Sequence, residues 1–315
     1  MKNKFAFEEY FKKKIKTGKE KITIVLGSCF HNCNDETQSI LNNWELLLKY
    51  LDDQITLSEN YMLDFEKIIL SHKSTKQANA VEKDLLKCIA QKIITEQSKL
   101  SEKDLNNYHY QIFNPKYVSD IIVLNFDSVV EVLCIRFLNC KVSGLKHVPI
   151  DKKKSKNSKI HQTTRYREII FPDSKIIRLW YPHGYISKPT AIILGARNYA
   201  NHIANIERLR KHSKAEERKN NKQITWYHQL THQTVLILGA SISAAEWDLW
   251  SAFVNRERNF SKNEFKKVRK PVFQMRINDS GCNNLKTNKN WFTALYSEDI
   301  PFADQWVKLS KLLEK

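Results

Sequence analysis

Short runs of β-branched and aliphatic residues recur along the chain. They are KITIVL at 21–26, DIIVL at 120–124, EIIF at 168–171, KIIRLWY at 175–181, AIIL at 191–194, TVLIL at 234–238 and PVFQMRI at 271–277. Several are apolar throughout rather than alternating, which is the pattern of strands covered on both faces, as in parallel sheets. Between these runs, apolar residues fall at helical spacing. Trp44, Leu47, Leu48 and Leu51 share one face, as do Val81, Leu85, Cys88 and Ile89. Val129, Val130, Leu133 and Phe137 form a third stripe, Trp247, Trp250 and Val254 a fourth, and Trp306, Leu309 and Leu313 a fifth. Each stripe predicts core packing. Strands alternating with helices predict an α/β fold: a Rossmann-like, mostly parallel sheet with helices on both faces.

One stretch breaks the alternation. From about 40 to 115 the pattern is helical with no good strand, and Pro115 precedes the next strand. This predicts a helical insertion after the first strand, within a single domain spanning 1–315. Residues 200–232 read as helical and very polar. No internal repeat is visible, and the lysine-rich stretch DKKKSKNSK at 151–159 reads as a mobile loop.

Composition narrows the class. The chain has 315 residues, 42% of them apolar, enough for a substantial core. No apolar run approaches the roughly 18–20 residues that span a bilayer, and the first residues, MKNKFAFEEYFKKKIK, mix bases with acids. The expectation is a cytoplasmic protein with no membrane partner. The formal net charge is +18, from 52 Lys+Arg against 34 Asp+Glu. Such a surplus attracts polyanions, yet the lysines are spread from end to end, which favours solvated basic faces over a nucleic-acid surface. The Lys- and Arg-rich stretch 208–222 reads the same way.

The six cysteines, Cys29, Cys33, Cys88, Cys134, Cys140 and Cys282, contain no CxxC pair, so reduced thiols and no zinc are expected. Cys88 and Cys134 read as core. Cys29, His31 and Cys33 have metal-like spacing but no distant second set of ligands, and His228 and His232 lack the glutamate of a HExxH motif. Both groups read as ordinary residues.

Only seven glycines occur. Gly27, Gly195 and Gly239 each end an apolar run, and Gly184 follows His183. In open parallel sheets, ligands bind beyond the carboxyl ends of the strands, so the residues after each run are the candidates. They are Gly27-Ser28, then Asn125-Phe126-Asp127, Pro182-His183-Gly184, Gly239-Ala240-Ser241 and Asn278-Asp279. Taken singly, each is an ordinary cap or turn residue. Five in order suggest one polar edge.

In this order and spacing, VLGS, LNFD, YPHG, LILGASIS and INDS resemble the sirtuin-type NAD-binding family, and most of all its bacterial NAD-hydrolysing relatives in antiphage defence. WELLLKYL and FADQWVKLSKLL also look like segments of those relatives, so the resemblance spans roughly 20–313. It implies that Asn125 positions the nicotinamide ribose or a water. His183 would accept a proton, and Asp127 would orient its neighbours or the nicotinamide amide. Gly27 and Ser28 would face the pyrophosphate, Gly239 and Ser241 phosphate or ribose, and Asn278 the adenosine end. Two departures stand out. The two zinc-binding CxxC pairs of the deacylases are absent. In the first loop Cys29 replaces the second glycine and His31 the serine, which bears on whether a pyrophosphate can pass.

The resemblance implies an NAD+ glycohydrolase releasing nicotinamide and ADP-ribose, with NAD as substrate. A toxic activity of this kind implies a homo-oligomer, or a sensor or ATPase partner, that keeps it off. Two other readings stand beside it: a catalytically weak sirtuin-fold scaffold or nucleotide-sensing subunit, and a basic nucleic-acid-binding subunit.

Overall fold

The computed structural model describes residues 6–32, 39–58, 60–72, 77–148, 164–219, 225–240, 242, 246–260, 270–275, 291–296 and 300–314. Its strands are β1 (Ile22–Leu26), β2 (Val118–Val123), β3 (Lys141–Val142), β4 (Lys146–His147), β5 (Arg165–Ile170), β6 (Ile176–Trp180), β7 (Thr234–Leu238), β8 (Val272–Gln274) and β9 (Thr293–Ala294). They form one nine-stranded sheet in the order β3-β5-β6-β2-β1-β7-β8-β9, with β4 also paired to β5. From β6 to β9 the pairings along this order are parallel. Only β5 runs antiparallel to β6, and β3 and β4 antiparallel to β5.

The insertion after β1 is helical: α1 (Trp44–Leu51), α2 (Tyr61–Ser71) and α3 (Ala78–Ser98), then a short turn at Glu102–Asn106. The Asn43 side chain starts α1 by accepting from the Glu45 and Leu46 N–H groups at 2.9 and 3.3 Å. After β2 comes α4 (Val129–Leu138); later come α5 (Ala196–Lys219), α6 (Trp226–His232), α7 (Trp247–Phe260) and α8 (Phe302–Glu314).

The unbroken apolar character of the strands follows from their two-sided burial. Ile24, Leu26, Ile121, Val123, Leu236 and Leu238 point into a core shared with Leu48, Phe65, Ile89, Leu133 and Trp306 of α1–α4 and α8. Their sequence neighbours Val25, Ile122, Val235 and Ile237 point the other way, into a core with Leu209, Leu230, Leu249 and Phe253 of α5, α6 and α7. Each such side chain stabilises the fold by about 1.5–3 kcal/mol when fully buried. The fully buried Asp120 is paired. Asp120 on β2 accepts from Trp180 Nε1 at 2.9 Å and Gln229 Nε2 at 2.7 Å and faces Arg178 Nε at 3.0 Å, tying β2, β6 and α6 together.

Three expectations are corrected. AIIL at 191–194 is not a strand. A 3-10 turn (Pro189–Ala191) opens it, and the rest is a buried coil whose Ile193 N–H donates to the His183 carbonyl at 2.8 Å. Its apolar residues cover the end of the sheet rather than join it. In the α7 stripe Trp247, Trp250 and Val254, Trp250 packs against the core as expected, but Trp247 does not. The buried face of α7 is Asp248, Leu249, Ala252, Phe253 and Arg256, whereas Trp247 is 65% exposed. Cys88 is exposed, because α3 buries Val81, Leu86, Ile89, Ala90 and Ile93 instead. Cys134 is buried as expected. The stretch 151–159, Cys33, Ser241, Asn278 and Cys282 lie outside the described residues. Among the described residues, no helix is long and apolar enough to cross a membrane.

Candidate functional site

The sheet has a topological switch point between β1 and β7. From β1 the chain builds outward through β2 and β6, then returns to add β7 on the other side of β1. The carboxyl ends of the strands on either side of such a point leave a crevice. A pocket of about 230 Å3 lies there. Gly27 and Ser28 after β1, Asn125 after β2, His183 after β6, and Ala240 and Ile242 after β7 all line it. Trp44 of α1, Tyr61 and Met62 of α2, Tyr199 of α5, and Glu246 close the sides. A wider apolar groove of about 640 Å3 shares Asn60, Met62 and Tyr199 with it and runs along Trp247, Trp250 and Val254 of α7.

The first loop is used in an unexpected way. The Gly27 N–H donates to the Leu238 carbonyl at 3.0 Å, the Cys29 N–H to the Gly239 carbonyl at 3.0 Å, and the Phe30 N–H to the Gly27 carbonyl at 3.1 Å. A Cβ on Gly27 would lie 2.4 Å from the Gly239 oxygen. The glycine therefore seats the β1 loop directly on the β7 loop. Ser28–Asn32 is one 3-10 turn. Ser28 lines the pocket and Cys29 does not. Three backbone donors of this loop are thus already bonded within the protein.

Asn125 and Asp127 come together as their spacing suggested. Asp127 is buried at 5% exposure and accepts from the N–H of Val129, the first residue of α4, at 3.0 Å. It also interacts with the Asn125 amide and faces His31 Nε2 at 3.1 Å. Burial alone would raise its carboxyl; His31, the Val129 N–H and Asn125 outweigh this and hold it below the usual range. His31 Nδ1 in turn meets the Tyr108 hydroxyl at 2.8 Å. His31 is committed to the fold, and Asp127 orients Asn125 rather than lining the pocket itself.

His183 sits in a tight turn made possible by Gly184, whose φ is +104° and whose Cβ would collide with Ala191 backbone at 2.3 Å. His183 Nε2 faces Asp248 Oδ2 of α7 at 2.7 Å. The Leu124 carbonyl also acts on its ring. The same Asp248 oxygen faces His202 Nε2 of α5 at 3.1 Å, and the Tyr199 hydroxyl donates to Oδ1 at 2.6 Å. Burial alone would lower His183, but Asp248, then Glu246 and the Leu124 carbonyl, raise it above the ordinary histidine value. For His202 burial wins and lowers it. Burial would raise Asp248, yet the two histidines hold it well below the usual carboxylate range. His183 and Asp248 therefore form a close histidine–carboxylate pair, with His202 on the same carboxylate oxygen.

Gly239 (φ +63°) belongs to the β7 loop through its carbonyl. Ser241 and Asn278 have no described position. His228 and His232 stack on α6 with centroids 4.3 Å apart, and burial with the neighbouring cations pushes His228 down to about 3. Among the described residues, His183, His202 and Asp248 are the one group of three that converge with metal-ligand spacing. Compared with known proteins, the chain matches no family model and no curated protein.

Sequence reasoning missed His202, Tyr199, Glu246 and Asp248. Asp248 stands between Trp247 and Leu249 with no motif around it. The one available signal was an acid on the apolar side of an amphipathic helix, which a core places only where it finds a partner.

Proposed function

We propose that the protein is an NAD+ glycohydrolase that releases nicotinamide and ADP-ribose. The observation that carries this reading is the pocket at the β1/β7 switch point, where Ser28, Asn125 and His183 meet from the ends of three different strands. Its volume is below the roughly 300–1,000 Å3 of common ligand sites. The pocket would therefore take the nicotinamide riboside end, and the remainder of the dinucleotide would follow the adjoining groove. Cleavage of the nicotinamide–ribose bond develops oxocarbenium character. Asn125, oriented by Asp127, would position the ribose or the attacking water. The His183–Asp248 pair would be the acid–base unit, with the carboxylate holding the imidazole and sharing its proton.

The test is nicotinamide release from NAD+ by wild type, Asn125→Ala and His183→Ala. Each substitution should slow release by about 100- to 10,000-fold. Turnover that both variants leave unchanged would falsify this site. Released toxicity implies control, so this reading includes a homo-oligomer or a defence-system partner that keeps the enzyme inactive until triggered.

A second reading has its own observation. The first-loop donors at Gly27, Cys29 and Phe30 are bonded within the protein, which favours a scaffold or nucleotide-sensing subunit that binds weakly and does not turn over. NAD+ binding by calorimetry with no nicotinamide release, alone or with partner proteins, would favour this reading.

A further inference from the structure

We propose that His183, His202 and Asp248 form a binding site for a divalent transition-metal ion of the zinc class. The three side chains come from the turn after β6, from α5 and from α7, so the fold itself brings them to one point. Their ligand atoms all lie within 4.8 Å of one another. Both imidazoles aim the same ring atom, Nε2, at the same carboxylate oxygen, at 2.7 and 3.1 Å. Zinc bonds nitrogen and carboxylate oxygen at about 2.0–2.2 Å, so tetrahedral ligands sit roughly 3.3 Å apart. To reach that spacing the two histidine–carboxylate distances would open by about 0.6 and 0.2 Å.

The surroundings of the carboxylate fit a ligand. A metal-bound histidine usually gives its other ring N–H to a carbonyl or carboxylate, and a metal-bound carboxylate is itself hydrogen-bonded. Asp248 Oδ1 accepts from the Tyr199 hydroxyl at 2.6 Å, and the Leu124 carbonyl acts on the His183 ring, while His202 Nδ1 is buried without a hydrogen-bond partner. His202 and Asp248 are 1% and 0% exposed, while His183 opens onto the pocket. Three protein ligands beside a pocket leave a fourth position for water or substrate, the arrangement of zinc sites that do chemistry. Two imidazoles and one carboxylate suit zinc, iron(II) or cobalt(II), and disfavour calcium and magnesium, which prefer oxygen.

The site is independent of the NAD+ reading, because binding is measured with no nucleotide present. Where both hold, the ion takes the His183 nitrogen that would carry a proton, so zinc would suppress nicotinamide release and a chelator would restore it.

The experiment is calorimetric titration of the full chain, stripped with chelator, with zinc chloride. Cobalt chloride provides a parallel spectroscopic probe and magnesium chloride a control. One zinc per chain should bind, and magnesium should not compete. His202→Gln keeps an N–H for Asp248 but removes the imidazole lone pair. It should abolish the cobalt visible bands and weaken zinc, as should Asp248→Asn, with circular dichroism unchanged. Tyr199→Phe should weaken zinc by roughly 10–100-fold. A His228→Gln/His232→Gln double variant, which removes the other histidine pair, should bind like wild type. The proposal is overturned if folded wild type takes up no zinc. It is equally overturned if His202→Gln and Asp248→Asn bind zinc as wild type does, or if the loss follows the His228/His232 pair.

Discussion

Glu131 is a residue whose charge opposes the fold. It sits on α4 at 4% exposure, accepts from the Tyr181 hydroxyl and faces Arg167 Nε at 3.8 Å. Burial pushes its carboxyl up to about 7 despite the Tyr181 bond and the Arg167 charge. The folded state thus holds this proton more tightly than the unfolded chain does. The associated stability is fully present below about pH 4.5 and is lost as pH rises through 7. A shift of this size corresponds to about 3 kcal/mol. Urea unfolding at pH 5 and pH 8 should show wild type losing that much relative to Glu131→Gln, which keeps an acceptor for Tyr181 without the charge. Parallel pH profiles for the two proteins would contradict it.

At the scale of elements, the strands were legible because burial on both faces writes itself as unbroken apolar runs. The insertion was legible because α1, α2 and α3 carry helical spacing and no strand pattern. Asn125 and His183 were legible as residues after strands. Other features were not, for physical reasons. Aromatics at helical spacing look alike whether they meet a core or a groove, so Trp247 pointed the wrong way. AIIL is as apolar as a strand because it is buried, but its N–H groups go to a turn rather than a ladder. Asp248 acquires its role only from His183, 65 positions away.

The first glycine loop shows the same limit. Its glycine was legible, but its use was not, since that depends on β7 lying alongside. Gly27→Ala should destabilise the protein by about 1–3 kcal/mol through the forced shift of the β7 loop. Gly144→Ala, where an added Cβ meets nothing within 4 Å, should be neutral or slightly stabilising. Equal urea midpoints for the two variants would show that the loops do not bear on each other.

At the scale of the whole molecule, two long-range terms can be read separately. The first is charge. A formal +18 makes the folded chain repel itself, so its melting temperature should rise between about 20 and 300 mM sodium chloride as the screening length shortens. A flat response would mean the cations are locally neutralised.

The second term is closure of the chain upon itself. Trp306 on α8 is fully buried; its ring centroid lies 5.6 Å from Phe30 in the first loop, and it stacks on His109 at 6.0 Å. Asn114 Nδ2 holds the end of the same helix through the Leu313 carbonyl at 2.8 Å, across 199 positions of sequence. The last helix therefore supports the loop that carries Ser28 to the pocket. Trp306→Ala should cost about 3–5 kcal/mol by urea unfolding. The loss should not be spread evenly, because Phe30 loses the ring packed against it while the opposite core, with α5 and α6, keeps its contacts. Hydrogen exchange should accelerate at the Cys29 and Phe30 amides well before it does at the β7 amides or in α6. If all these amides accelerate together, α8 acts only through global stability, and the support it gives the first loop is not local.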